Sequence, residues 1–227
     1  MKRTVVIGDI HGCYDELIAL LKKVDLHSGD RVVAVGDLTV KGPKSREVLD
    51  LFIKKDGQFC SVIGNHDLAL VKHWRGESIS LKSSQEAARK ELEQGGEHYF
   101  QYLNALPFKA DLGSHVVVHA GLRPGVPLEE QSEEDLTELR TLGPDRTSRQ
   151  GVPWYEVYAD TKIALFGHWP AAEPRRGRSA IGLDTGCVYG NRLTAHIIET
   201  GEFVSVEAEK AYDSREAIDS SDATSKE

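Results

Sequence analysis

Three short apolar runs early in the chain each stop at a glycine followed at once by a polar side chain. Val5-Val6-Ile7 leads into Gly8-Asp9, Val32-Val33-Ala34-Val35 into Gly36-Asp37, and Cys60-Ser61-Val62-Ile63 into Gly64-Asn65. Runs this short and rich in β-branched residues read as strands buried on both faces, which need helices to cover them. Those helices are legible. Leu17, Leu20, Leu21 and Val24 recur at i, i+3, i+4 and i+7 after the first run, and Val48, Leu49, Phe52 and Ile53 form a second stripe after Pro43, which suits a first helical turn. Strand, loop and helix therefore alternate, and the polar residues fall at the carboxyl ends of strands, where α/β folds gather their loops into one crevice.

Two later runs end the same way: His115-Val116-Val117-Val118 delivers His119-Ala120-Gly121, and Ile163-Ala164-Leu165-Phe166 delivers Gly167-His168. Further strands are predicted at Ala180 to Leu183, Leu193 to Ile198 and Phe203 to Val206. With no helical pattern between them, they predict a second, largely antiparallel sheet. Between the third and fourth runs, 67–106 reads as a helical insertion. Its Gln, Glu, Lys, Ala and Leu from Ser83 to Ala105 are interrupted at Gly95-Gly96 and halted before Pro107. The 227 residues suit one large domain over 1–212. From Asp213 to Glu227 apolar residues nearly vanish, which predicts a disordered acidic tail.

The net charge of −8 comes with scattered Lys and Arg, so no basic stripe for a nucleic-acid duplex is present. Neither G-x-G-x-x-G nor G-x-x-x-x-G-K-[ST] occurs. The three cysteines, an odd number without paired spacing, and a start with neither signal peptide nor membrane span point to a cytoplasmic protein in a reducing compartment. Nothing in the sequence specifies an oligomer.

Taken singly, an Asp or Asn after a strand is an ordinary turn or N-cap residue, and a lone His is an ordinary structural histidine. Taken together, Asp9, His11, Asp37, Asn65, His119 and His168 form a set of oxygen and imidazole donors without thiolate, which fits Mn, Fe, Zn or Mg. Asp9 and His11 lie two apart, so in extended backbone both point to one side. Six donors suffice for two divalent ions if one carboxylate bridges them at a spacing of about 3.5–4 Å.

GDIHG, GD, GNHD, HAG and GH, in that order from Val5 to about Ile198, resemble the calcineurin-like metallophosphoesterases, specifically their phosphoprotein-phosphatase branch. Within it, GDLTVKGPKS, HAGLRPGVPLEEQ, the ELRTL segment around Arg140 and GLDTGCVYGNRLTA are similar to the bacterial diadenosine-tetraphosphatase-like group. The resemblance implies an α/β (α+β) fold, a two-sheet β sandwich flanked by helices with metals at one sandwich edge. It implies that Asp9, His11 and Asp37 hold one ion, that Asp37 bridges, and that Asn65, His119 and His168 complete the second. It further implies that a hydroxide bridging the ions attacks phosphorus, that His66 is the general acid, and that Lys41 and Arg140 bind phosphate oxygens. Manganese leads the metals implied, with Co, Fe, Zn and Mg as alternatives. Asp67 is expected either to support His66 or to cap the following helix.

One departure bears on the substrate. The protein phosphatases carry G-D-x-V-D-R-G, whose second Asp orients the histidine acid; here that position is Val40, followed by Lys41. A serine or threonine alkoxide needs a well-oriented acid in order to leave. A nucleoside diphosphate, whose terminal phosphate has a pKa of about 6, needs it far less. The expected activity is therefore metal-dependent hydrolysis of phosphoanhydrides, with diadenosine tetraphosphate or related small nucleoside polyphosphates as substrate. The alternatives are a protein serine/threonine or broad phosphatase acting on a phosphoprotein, a polyphosphatase, and a non-catalytic nucleotide-binding module.

Overall fold

A computed structural model describes residues 2–214 of the chain. Apart from Asp213 and Ser214, the segment expected to be a disordered tail lies outside the described residues. The strands are β1 (Thr4–Ile7), β2 (Arg31–Ala34), β3 (Phe59–Ser61), β4 (Lys109–Asp111), β5 (His115–Val118), β6 (Thr141–Leu142), β7 (Val152–Pro153), β8 (Ile163–Phe166), β9 (Arg175–Arg176), β10 (Ala180–Gly182), β11 (Arg192–Ile197) and β12 (Glu202–Glu207). The helices are α1 (Tyr14–Lys23), α2 (Ser45–Lys54), α3 (Asn65–Trp74), α4 (Ser83–Gly95), α5 (His98–Asn104), α6 (Glu133–Glu138) and α7 (Trp154–Val157).

Two five-stranded sheets, ordered β12-β11-β1-β2-β3 and β4-β5-β8-β10-β9, make a mixed α/β sandwich. The period-2 alternation of a strand assigns the layers. In β1, Val5 and Ile7 join the cluster that includes Leu17, Leu20, Val48, Leu49 and Phe52 of the helices, while Val6 turns the other way. Val6, Val33, Val35 and Val62 meet Val117, Leu165 and Leu183 of the second sheet, and these residues form the sandwich interior. On the far face of the second sheet, Val116, Val118, Ala164 and Phe166 pack against Leu136, Leu139, Trp154 and Tyr155. Strands covered on both faces explain why the runs read as continuous apolar stretches.

The expected antiparallel second sheet is corrected in two respects. Its centre is parallel, with β5 beside β8 and β8 beside β10; only its margins, β4 and β9, are antiparallel. The last two strands belong instead to the first sheet, where β11 runs antiparallel to β1 and β12 to β11. The segment between β5 and β8 carries α6 and α7, too short to show periodicity in sequence but sufficient to cross from one parallel strand to the next, while the connection from β8 to β10 passes through β9. Pro43 also lies outside α2, which starts at Ser45 behind Lys44. The helices α4 and α5 break at the Gly95-Gly96 pair, as the composition predicts. Among the described residues no helix is long and apolar enough to cross a membrane.

Candidate metal centre

β1, β2 and β3 run parallel, as do β5, β8 and β10. Asp9, Asp37 and Asn65 follow the first three, and His119, His168 and Asp184 follow the others, so six loops open at one edge of the sandwich. All six sequence-derived donors belong to this edge; Asp9, His11, Asp37, His119 and His168 are buried. The backbone here is unusual. Among the described residues, His11, Asp25, Asp37, Val40, Lys41 and His168 are the non-glycine residues with positive φ, and all but Asp25 lie in the site. A β-branched residue in this region is an outlier, and strain of about 1–3 kcal/mol per residue persists only where its surroundings impose it. For Val40 (φ 72) the Ser45 hydroxyl accepts from its N–H at 3.2 Å, and the Gly42 N–H closes a three-residue turn onto its carbonyl at 2.9 Å. His11 (φ 48) is likewise left-handed, which corrects the extended Asp9 to His11 geometry expected from their spacing.

Hydrogen bonds define which ring nitrogens carry protons. A carbonyl can only accept, so His119 Nδ1–H donates to Val35 O at 2.9 Å and His11 Nδ1–H donates to Thr39 O at 3.0 Å. Both Nε2 atoms are then lone-pair donors. His119 Nε2 lies 3.5 Å from Asp37 Oδ2 and 3.0 Å from Asn65 Oδ1; His11 Nε2 lies 3.4 Å from the same Asp37 oxygen and 4.0 Å from Asp9 Oδ2. His168 Nδ1 is 3.1 Å from Asn65 Oδ1, and its buried Nε2 has no hydrogen-bond partner. Lone pairs facing lone pairs in a buried cavity call for cations. Asp37 Oδ2 is approached by both imidazoles, and the donor groups His11, Asp37, His66 and Asp9, Asp37, His119 each bring their ligand atoms within 4.8 Å of one another.

Glycine makes this closeness feasible. A Cβ on Gly167 would overlap Asp9 Oδ1, and one on Gly64 would overlap Asp37 Oδ1. Backbone amides hold the carboxylates: His168 N–H donates to Asp9, and His66 N–H donates to Asp37 Oδ1 at 2.9 Å.

The electrostatics follow from concentrating like charges out of water. Burial, then the charges of Asp184 and Asp37, push the Asp9 carboxyl well up, and burial pushes Asp37 up to about 6 against the pull of the Lys41 ammonium. Burial lowers His119 to about 4 and takes His11 and His168 well below the usual imidazole range. Neutral imidazoles are the form that ligates a metal.

Lys41 Nζ donates to His11 Nε2 at 2.9 Å and lies 5.4 Å from the Tyr189 ring centroid. Arg140 donates to Thr147 O at 3.0 Å and to His168 O at 3.4 Å, with its Nε buried and unpartnered. His66 is buried with its ring centroid 5.2 Å from that of His11.

Two features were not anticipated. Asp67 neither supports His66 nor caps α3: its carboxylate accepts from the N–H groups of Leu38 and Thr39 and from the Thr39 hydroxyl. Asp184 is buried at the end of β10, accepts from Gly186 N–H at 3.0 Å, and carries a carboxyl raised by burial. Its sequence signal, an Asp after the strand run Ala180 to Leu183, resembles the one that marked Asp9 and Asp37 but lacks their preceding glycine.

A two-sheet sandwich with buried carboxylate and imidazole donors gathered at the carboxyl ends of its strands defines a metallophosphoesterase. Residues 2–199 match the calcineurin-like phosphoesterase family, and the chain belongs to it. It is accordingly a metal-dependent phosphohydrolase. The bis(5'-nucleosyl)-tetraphosphatase PrpE [asymmetrical] of Bacillus velezensis is 33% identical, with 92% of this chain and 94% of that protein aligned. The bis(5'-nucleosyl)-tetraphosphatase, symmetrical, of Vibrio parahaemolyticus is 31% identical over 84% of this chain and 93% of that one. A solved structure reported as "Crystal structure of a putative diadenosine tetraphosphatase" superposes with a TM-score of 0.78 at 33% identity, covering 91% of this chain and 94% of that one. A protein serine/threonine phosphatase of Saccharomyces cerevisiae shares the fold, with a TM-score of 0.62 at 16% identity over 96% of this chain and 82% of that one.

Proposed function

We propose that this phosphohydrolase cleaves a phosphoanhydride bond in dinucleoside polyphosphates, diadenosine tetraphosphate foremost, in the cytoplasm. The observation that carries the reading is Val40. It is fully buried and apolar in the loop where the protein phosphatases place the carboxylate partner of their acid, so the loop favours a leaving group that departs with little proton transfer. Named tetraphosphatases aligned over nearly their whole length support the same reading. The three cysteines are free, which suits a reducing cytoplasm.

In this reading Asp9, His11 and Asp37 hold one divalent ion, and Asp37, Asn65, His119 and His168 hold the other; manganese is proposed, since the donors are hard oxygens and imidazoles. Two such ions lower the pKa of bound water and neutralise charge on the phosphoryl oxygens. Lys41 and Arg140 orient the polyphosphate by binding its remaining oxygens, Lys41 as a point charge and Arg140 as a planar fork. His66 donates its ring proton to the departing phosphate oxygen. Asp67 keeps the Asp37 loop in its strained shape, and Gly64 and Gly167 leave the room that the Asp37 and Asp9 carboxylates occupy.

The test is product analysis on metal-loaded protein given diadenosine tetraphosphate, inorganic polyphosphate and phosphoserine peptides. Release of adenine nucleotides from the first, with the peptides cleaved at least about 100-fold more slowly, is expected from loss of the oriented acid. Peptide hydrolysis with an intact dinucleotide sinks the proposal.

A further inference from the structure

Arg146 joins two parts of the molecule through different atoms. Its backbone carbonyl accepts from the Arg140 N–H at 2.8 Å, and the carbonyl of the next residue, Thr147, accepts from Arg140 Nη1 at 3.0 Å. Its own guanidinium reaches the other way: Nη1 lies 2.9 Å from Asp135 Oδ1, an ion pair without the alignment of a hydrogen bond. The loop 143–151 between β6 and β7 thus meets Arg140 through its backbone and α6 through a side chain.

Asp135 is shared between two loops. Buried in the first turn of α6, with its own N–H donating to Ser132 Oγ at 3.1 Å, it also accepts from Nε and Nη2 of Arg123. Arg123 belongs to the segment that follows His119, and the Gln131 amide ties that segment down: Oε1 accepts the Arg123 N–H at 2.8 Å, and Nε2 donates to Arg123 O at 3.0 Å and Val126 O at 2.9 Å. One carboxylate therefore connects the chain after a proposed metal donor with the loop that contacts Arg140. Bonds within the hairpin, from Thr147 to Asp145 and from the Thr141 hydroxyl to Ser148 O, shape the loop. They do not fix where it lies relative to α6.

We propose that Asp135, acting through Arg146, is the positioning residue of Arg140 and orders its guanidinium at the metal edge before substrate arrives. The inference rests on the proposed phosphate-binding role of Arg140, and it deepens that reading. Thr147 O takes a proton of Nη1 and His168 O, at 3.4 Å, one of Nη2, so the plane of the fork is set while its other donors are left for phosphate oxygens. An arginine that is already ordered loses less rotamer freedom on gripping phosphate than one that must be ordered by the ligand. Burial and the charge of Arg149 both press against the Arg140 cation, and an anion bound there offsets both.

The experiment compares the full-length wild-type protein with Arg146→Gln, Arg146→Lys, Asp135→Asn, Arg140→Gln and the Arg140→Gln/Arg146→Gln double variant. The Arg146 side chain is 34% exposed, so replacing it leaves the core packed. Two readouts are taken: steady-state kinetics on diadenosine tetraphosphate with manganese, and the rate of tryptic cleavage after Arg149, followed by mass spectrometry. Arg146→Gln should raise KM by about 3- to 10-fold, the ordering cost of one long side chain, with kcat and manganese affinity little changed, and should speed cleavage after Arg149. Asp135→Asn should repeat both changes, and Arg146→Lys, which keeps a cation for Asp135, should recover part of the KM. In the Arg140→Gln background Arg146→Gln should add nothing, because the group it positions is gone. An unchanged cleavage rate in Arg146→Gln overturns the proposal. So does an unchanged KM, or additive effects in the double variant, where Arg140→Gln by itself weakens the substrate. If instead Arg140→Gln has wild-type kinetics while cleavage after Arg149 accelerates in Arg146→Gln, the loop is anchored as stated and the phosphate-binding reading of Arg140 fails by itself.

Discussion

The carboxylate of Asp67 grips the backbone two residues beyond Asp37: Thr39 Oγ1 donates to Asp67 Oδ1 at 2.6 Å, Thr39 N–H to the same oxygen at 3.1 Å, and Leu38 N–H to Oδ2 at 3.0 Å. This bond set holds a loop in which Asp37, Val40 and Lys41 all have positive φ, so the strain of the metal loop is balanced from α3. Asp67→Asn turns one acceptor oxygen into an amide that faces a donor. It is expected to cost about 1.5–3 kcal/mol of stability, as for hydrogen bonds to a charged group, and to weaken metal binding. Urea unfolding together with metal titration checks both, and an unchanged metal affinity refutes the anchoring role.

Gly167→Ala is expected to abolish tight metal binding, because its Cβ would occupy the space of Asp9 Oδ1. Gly29→Ala, with nothing within 4 Å of the added carbon, is the control and should bind metal as wild type does. Equilibrium dialysis with manganese decides the point. Equal binding by the two variants contradicts the close-approach argument.

Metal affinity should rise with pH across the range in which Asp37, held up to about 6 by burial, loses its proton. Below that range a bound ion must displace protons from Asp37 and from Asp9, whose carboxyl burial also raises; well above it fewer remain. In chelator-stripped protein the same shift acts on stability. A carboxyl raised in the folded state binds protons that the unfolded chain has released, so its contribution falls as pH climbs from about 4, the unfolded value, to about 6. Calorimetric metal titrations in buffers of differing ionisation enthalpy, run at pH 5.5 and pH 8, measure the proton count directly. Equal proton release at both pH values contradicts the assignment.

Asp30 provides the opposite sign. It accepts from the Arg3 guanidinium at 2.6 and 3.1 Å, from Arg3 N–H at 3.0 Å and from His27 N–H at 3.0 Å, and these bonds hold its carboxyl well below the usual carboxylate range. A depressed folded pKa contributes stability above the unfolded value of about 3.9 and loses it as pH falls through the folded one. Asp30→Asn should therefore be less stable than wild type at pH 7, and the gap should shrink progressively below about pH 4. Urea midpoints of the two proteins at pH 7 and at pH 3 give the comparison; a gap independent of pH rules out the ion pair as its source.

Lys41→Gln is expected to lower kcat/KM on a dinucleoside polyphosphate by roughly 10- to 100-fold, the value of one hydrogen bond to a charged group. Lys41→Arg should restore part of this loss. Steady-state kinetics on metal-loaded enzyme separate the cases, and wild-type kcat/KM in the Gln variant removes Lys41 from the substrate site.

Much of the site was legible because a buried strand announces itself by composition and its end by a glycine. The positions of Asp9, His11, Asp37, Asn65, His119 and His168 follow from that pattern alone. Asp184 was missed because Leu183, not a glycine, separates it from its strand. Asp135 could not be found at all, since composition marks it as an ordinary acidic residue of a helix start and its contact with Arg146 joins separate elements. Asp67 was expected to support His66 or to cap α3 because both are its near neighbours in sequence, while its actual partners, Leu38 and Thr39, lie on another strand's loop.

The sequence by itself determined the longer helices, the covered strands and the chemical types gathered at their ends, because hydrophobic periodicity and turn residues act over a few neighbours. It could not decide that β11 and β12 return to the first sheet, that the second sheet is parallel at its centre, or which nitrogen of each histidine carries the proton. Those are decided by pairing and hydrogen bonds between segments far apart in the chain. Only in the folded structure do Val35 and Thr39 carbonyls turn two imidazoles toward Asp37, and only there does a carboxylate on α6 meet the Arg146 guanidinium.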